Sequence, residues 1–152
     1  MVFKKLLLMV VLATVSLIGF SVHAADRDGE ISVFADKAIS HIKKVGSEQA
    51  HQDFADRDGD FIKGEVYVVI LNLDGIAISH PINPRLIGKN FLKFRDTDGR
   101  LFIQEITDNL KKEGVTWVEY TWVNPITKKV AKKRAVAKMI DDQEYVLIGY
   151  WP

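Results

Sequence analysis

Apolar and polar positions divide the chain into segments of different period. Leu6 to Phe20 is predominantly apolar and carries no charge. From about 29 to 54, apolar residues recur every three or four positions, at Ile31, Phe34, Ala38, Ile42 and Val45. That spacing predicts an amphipathic helix, which Gly46 interrupts or whose first part it ends. The acidic, turn-rich FADRDGDFIKGE follows. Glu65 to Leu71 is dense in β-branched residues and predicts a strand. Asn72-Leu73-Asp74-Gly75 supplies a tight turn, and Ile76 to His80 returns as the second strand of a hairpin. Residues 81–98 contain two prolines and predict mostly loop. Over Arg100 to Lys112, Leu101, Ile103, Ile106 and Leu110 sit near helical spacing, and Gly114 is placed to close that helix at its C-terminus. Three strands are predicted after it, at 116–123, 130–140 and 145–151, with turns at Asn124-Pro125 and Asp141-Asp142. This order predicts an α+β domain whose antiparallel sheet carries its helices mainly on one side.

The N-terminal stretch changes how the rest is read. Lys4 and Lys5 precede the apolar run, and small residues at Val22 and Ala24 suit cleavage before Ala25. At about fifteen residues the run is short for a membrane span, which needs roughly 20. Residues 1–24 are therefore expected to be a signal peptide, with 25–152 a single domain in the periplasm or secreted; the alternative is an uncleaved N-terminal anchor. Of 21 basic residues, Lys4 and Lys5 lie in this leader, leaving 19 against 20 acidic ones. A near-neutral mature chain argues against nucleic-acid binding, which needs a clustered basic surface. Lys128-Lys129…Lys132-Lys133-Arg134 is the local exception, expected on an exposed hairpin as a solvated face or a contact for an anionic partner. The chain has no cysteine. Disulfides, thiol catalysis and cysteine-type zinc sites are therefore excluded.

Candidate chemistry is sparse. Asp-x-Asp-Gly occurs at Asp26–Gly29, Asp56–Gly59 and Asp96–Gly99. Aligned to a calcium loop, the middle copy would place Phe54 at the first ligand position and Glu65 at the start of a strand, where a helix is required. Turn chemistry explains these residues better than a metal site. His41, His51 and His80 lack the spacing of a metal pair, and there is no nucleophile elbow or phosphate-cradling glycine loop. Neither a metal, a cofactor nor an enzyme activity is expected. A small-molecule pocket has more support. Strand alternation places Val118, Tyr120 and Trp122 on one face and Trp117, Glu119 and Thr121 on the other, while Arg134, Val136 and Lys138 share a face of the next strand. Aromatic hydroxyl and indole groups, an imidazole and a lysine together suit a small carboxylate. From composition alone, an aromatic core stripe with a solvated lysine at an edge is the favoured alternative.

The order of motifs adds to this. FADRDGDFIKGEVYVVILNLDGIAISHPINPRLIGKN, FRDTDGRLFIQEI and GVTWVEYTWVNPITKKVAKKRAVAKMI together resemble a single Cache domain of the second type, over about residues 30 to 151. The resemblance implies a PAS-like fold: a long N-terminal helix and a five-stranded antiparallel sheet with a loop-and-helix insert over one face. It implies an extracytoplasmic pocket for a small organic acid such as acetate, propionate, pyruvate or lactate. A membrane receptor or histidine kinase is the implied partner. Carried onto this chain, His80 corresponds to the motif histidine at the pocket edge. Tyr120 and Trp122 correspond to the aromatics of the strand after the insert, Lys138 to the basic residue of the following strand, and Tyr67 to the family tyrosine. Trp117 is expected in the core, turned away from Tyr120. Two departures stand out. Ala135-Val136-Ala137 occupies a place where a tyrosine or similar residue is expected. The sequence also ends at Trp151-Pro152 without a following membrane segment, so signalling is expected to need a separate membrane partner. A ligand-free interaction or assembly protein on the same fold is the alternative function.

Overall fold

The computed structural model describes residues 18–152, with side chains from Asp26 onward. The leader expected at 1–24 lies for the most part outside the described residues. Contacts divide the chain into a unit of residues 1–30 and a unit from Ile31 to Pro152. The fold below is that of the second unit.

Helix α1 (Ile18–Val45) is followed by α2 (Ser47–Ala55). The break falls at Gly46, whose φ of 86° lies in the region that glycine enters without a steric penalty. Ile31, Phe34, Ala35, Ala38 and Ile42 of α1 are buried, as their spacing requires, together with Ala50 and Phe54 of α2. A two-stranded ribbon, β1 (Ile62–Lys63) and β2 (Val66–Tyr67), leads into the main sheet. The sheet comprises β3 (Val69–Asn72), β4 (Ala77–Ser79), β5 (Val115–Val123), β6 (Val130–Met139) and β7 (Glu144–Tyr150), in the order β4-β3-β7-β6-β5. All its pairings are antiparallel. Between β4 and β5 the chain leaves the sheet for an insert: a short 3₁₀ turn at Pro84–Leu86, loops, and α3 (Phe102–Glu113). Gly114 ends α3 at φ 73°, its amide donating to the Leu110 carbonyl at 2.8 Å.

The predicted strand 65–71 is thus two elements separated at Val68, and the hairpin, the second helix and the last three strands appear where the sequence predicts them. One expectation is corrected. Helices cover both faces of the sheet rather than mainly one. Alternating residues divide between two cores: Val136, Val146 and Ile148 pack with α1 and α2, whereas Val118, Tyr120, Ala135, Ala137 and Leu147 pack with α3 and the insert. Each fully buried aliphatic side chain contributes roughly 1.5–3 kcal/mol. The hydrophobic driving force is therefore divided over two layers that share the sheet.

The Asp-x-Asp-Gly segments at 56–59 and 96–99 are turns in which the aspartates serve the backbone. Asp56 Oδ1 accepts from the Asp58 amide at 3.0 Å. Asp96 Oδ1 accepts from the amides of Asp98 (3.0 Å) and Arg100 (2.8 Å), and its Oδ2 from the Thr121 amide at 3.1 Å. Burial favours protonation of Asp96, but these amide hydrogen bonds and the nearby Arg100 charge prevail and hold its carboxyl below the usual carboxylate range. The turn thereby fastens the insert to the outer edge of β5.

Candidate ligand-binding site

The site lies between the sheet and the insert. On β5, alternation directs Val118, Tyr120 and Trp122 toward α3, and Tyr120 stacks on Phe102 with centroids 4.2 Å apart and planes 6° from parallel. The register of β5 and β6 sets Tyr120 opposite Lys133, Val118 opposite Ala135 and Trp122 opposite Ala131. Lys133 therefore projects from β6 on the face that Tyr120 occupies. Tyr67 of β2 and His80, immediately after β4, complete the polar wall. Tyr67, His80, Tyr120, Trp122 and Lys133 line a cavity of about 40 Å³ that opens partly to solvent; Phe91, Phe102, Ile103 and Leu86 of the insert cover it. At roughly 10–15 Å³ for each water-sized group, that space takes only a few heavy atoms and suits a very compact ligand.

Lys133 is only 3 % exposed. Its ammonium lies 4.2 Å from the Tyr67 ring centroid and 4.4 Å from that of Trp151, so two aromatic faces house it. Burial pushes its pKa down to about 7, with the Glu65 carboxylate acting in the opposite direction. Glu65 is itself held in place: it accepts from Asn124 Nδ2 at 3.0 Å and from the Trp151 amide at 3.3 Å. Trp151 in turn donates its indole N–H to the Trp122 carbonyl at 3.4 Å.

His80 sits against Tyr67, ring centroids 5.5 Å apart. Its Nδ1 accepts from the Asn83 amide at 3.1 Å, which leaves the neutral ring with its proton on Nε2. Burial, aided by the neighbouring Lys133 charge, pushes its pKa down to about 4, so the ring is neutral at physiological pH. The prolines at 81 and 84 turn the chain off the sheet at this point, and the resulting turn supplies the Asn83 amide. Burial raises the pKa of Tyr67, with the Trp122 hydrogen bond opposing it, and raises that of Tyr120 well above the usual phenol value. Both hydroxyls therefore keep their protons. The cavity wall presents one cation, a neutral imidazole and two phenols on an otherwise apolar surface.

Four of the five residues expected at the site, Tyr67, His80, Tyr120 and Trp122, are brought together around this cavity. Lys138 is not. It stands five residues from Lys133 on the same strand and so points to the opposite face. There its ammonium binds Asp36 Oδ1 of α1 at 2.8 Å and the Ser32 carbonyl at 3.3 Å. Its role is to tie the sheet to the helix, and the expectation of Lys138 at the pocket is corrected to Lys133. The expectation of an exposed Lys133 on the basic hairpin is corrected with it. Trp117 lies on the α1 side as expected, with Arg134 4.9 Å above its ring. Trp151 and Phe102 were also not foreseen as part of the site; the tight turn spanning 124–129 was the available signal for Lys133, because it fixes which β6 residue faces Tyr120.

A five-stranded antiparallel sheet with a helical layer behind it and an insert enclosing a small pocket in front defines a PAS-like sensor fold. The chain belongs to the Single Cache domain 2 family, whose profile matches residues 48–150. Cache domains are sensor and signalling modules rather than enzymes. Solved structures share the fold. A methyl-accepting chemotaxis protein from Vibrio parahaemolyticus RIMD 2210633 is 19 % identical with a TM-score of 0.76, the match covering 86 % of this chain and 92 % of that one. A periplasmic sensor domain of a chemotaxis protein is 20 % identical at TM-score 0.72, covering 84 % and 96 %. A Cache chemosensory domain described for its carboxylic acid recognition is 20 % identical at TM-score 0.71, covering 88 % and 97 %. No curated protein matches the sequence.

Proposed function

We propose that this Cache domain binds a small organic acid, of the size of acetate, propionate, pyruvate or lactate, and passes its occupancy to a membrane receptor or histidine kinase. The observation that carries the reading is Lys133: a lysine almost wholly removed from water, housed by aromatic rings, on the wall of a small cavity. A buried ammonium is stabilised by an anion brought to it, and a carboxylate also accepts hydrogen bonds from the neutral His80 Nε2–H and the protonated Tyr67 and Tyr120 hydroxyls. Trp122, Phe102 and the insert supply the apolar wall against the alkyl part of the acid. One fold neighbour is described for carboxylic acid recognition, which supports the same ligand class. An extracytoplasmic location fits the family, with residues 1–24 as a removable leader or an anchor. No helix among the described residues is long and apolar enough to cross a membrane.

Calorimetry and thermal shift with monocarboxylates of two to four carbons test the proposal. Binding is expected in the wild type, lost in Lys133→Ala and weakened in Tyr120→Phe. Absence of binding across the series, together with copurification of a receptor or kinase by the ligand-free protein, would instead favour an assembly role for the same fold.

A further inference from the structure

The tip of the β5–β6 hairpin carries a surface that the pocket does not use. Val123, Ile126 and Val130 are 48 %, 62 % and 53 % exposed. Val123 and Val130 are cross-strand partners, so two aliphatic side chains face water side by side, with Ile126 in the turn between them. Residues 126–132 are exposed without interruption, and Lys128, Lys129 and Lys132 are among them. Among the described residues, none of these three ammoniums is paired with a carboxylate. The two other surface cations of the strand are engaged, Arg134 by Glu119 at 3.3 Å and Lys138 by Asp36. From Tyr120 to Ile140 the sequence has no acidic residue at all. An aliphatic tip within a cationic collar matches one kind of surface: anionic headgroups for the lysines, with the upper acyl region for the aliphatic residues.

We propose that this hairpin tip docks on an anionic phospholipid bilayer, with Ile126, Val123 and Val130 entering the interface and Lys128, Lys129 and Lys132 held at the phosphates. The inference is independent of acid binding, since its residues line no part of the cavity. A near-neutral chain has no overall attraction to such a surface, so the three lysines must supply it locally.

The sequence has no cysteine, so Thr127→Cys labelled with nitrobenzoxadiazole places a single environment-sensitive probe on the tip of the full chain. The probe reads insertion of the tip alone, whatever the N-terminal apolar stretch does in the same vesicles. Vesicles of phosphatidylcholine with an equal part of phosphatidylglycerol are expected to shift the emission to the blue. Pure phosphatidylcholine should leave it unchanged, and raised salt should reverse the shift. Combining the probe with Lys128→Glu, Lys129→Glu and Lys132→Glu should weaken binding on the order of 100-fold, at about a fivefold loss per lysine. Ile126→Ser with the lysines intact should reduce it as well, and thermal melts establish that both variants are folded. No shift on the anionic vesicles would overturn the proposal, as would an equal shift on phosphatidylcholine or in the triple glutamate variant. A shift produced as strongly by poly-glutamate would also overturn it, and would identify an acidic polypeptide as the partner of this tip.

Discussion

Replacing Lys133 by methionine keeps an unbranched side chain one heavy atom shorter between Tyr67 and Trp151 and removes the charge. The fold holds this lysine with a pKa of about 7 against an ordinary 10.5. The charged form is therefore penalised in the native state. Below pH 7 both native and unfolded chains carry the proton, and the penalty is fully present. Between about 7 and 10.5 the native lysine is neutral while the unfolded one still binds its proton, so stability rises with pH. Above that window the penalty is gone. Three and a half pH units correspond to about 5 kcal/mol at 1.36 kcal/mol each. The cation–π contacts at 4.2 and 4.4 Å return roughly 0.5–2 kcal/mol of this. Lys133→Met should therefore stabilise the ligand-free domain by about 3 kcal/mol at pH 6, with the difference shrinking toward zero by pH 10. Urea denaturation of both proteins at several pH values, followed by tryptophan fluorescence, measures it. Titrating groups remote from Lys133 cancel in the difference, and His80, whose pKa the Lys133 charge helps to lower, is neutral in the native wild type over this range. A variant less stable than wild type at pH 6, or a difference that does not change with pH, would refute the buried-charge argument.

Acid affinity should be flat from about pH 5 to 7 and then fall about tenfold per pH unit, because bound carboxylate requires charged Lys133; calorimetry in buffers of different ionisation enthalpy should show proton uptake above pH 7, and its absence would sink the assignment. Lys138→Ala should leave acid affinity within about twofold and cost no more than about 1 kcal/mol in a thermal melt, since its partner Asp36 is 62 % exposed. Asp96→Ala should cost about 1–3 kcal/mol by leaving the amides of Arg100 and Thr121 without their acceptor. The lowered pKa of Asp96 means that its charge-dependent contribution is present above the ordinary carboxylate pKa and is lost as the pH falls through the lowered value, so the wild-type advantage over this variant should shrink in strong acid. A Cβ at Gly149 would stand 2.5 Å from the Arg134 carbonyl oxygen and 2.9 Å from the Ala135 Cα, so Gly149→Ala should destabilise by about 1–3 kcal/mol or more and disturb Lys133 next door, which melting and acid titration would both report.

Most of the fold was legible because its signals are local. Apolar spacing located the helices, Gly46 and Gly114 marked where they end, and β-branched runs with Asn, Asp and Pro turns located the strands. The ribbon at 62–67 and the break at Val68 were not legible, since Glu65 to Leu71 reads as one β-rich run and only packing divides it. Of the site, the aromatic and imidazole members could be found from alternation and motif. The lysine could not be found from alternation alone, which groups residues of one strand but does not say which strand residue faces which. Arg134, Val136 and Lys138 were correctly grouped together; the missing quantity was the register that sets Lys133, not a member of that group, against Tyr120.

That register is closed by a small device. Asn124 Oδ1 accepts from the amides of Ile126 and Thr127, the Asn124 amide donates to the Lys129 carbonyl, and Val123 then meets Val130. The length of this turn decides which half of β6 looks into the pocket. Insertion or loss of one residue would present Lys132, Arg134 and Val136 in place of Lys133, Ala135 and Ala137. Point substitutions in the cavity can adjust size and polarity by degrees. A change of turn length would exchange the entire chemical alphabet of that wall in one event, so lineages carrying this hairpin at different lengths are expected to differ in ligand class rather than in affinity for one ligand.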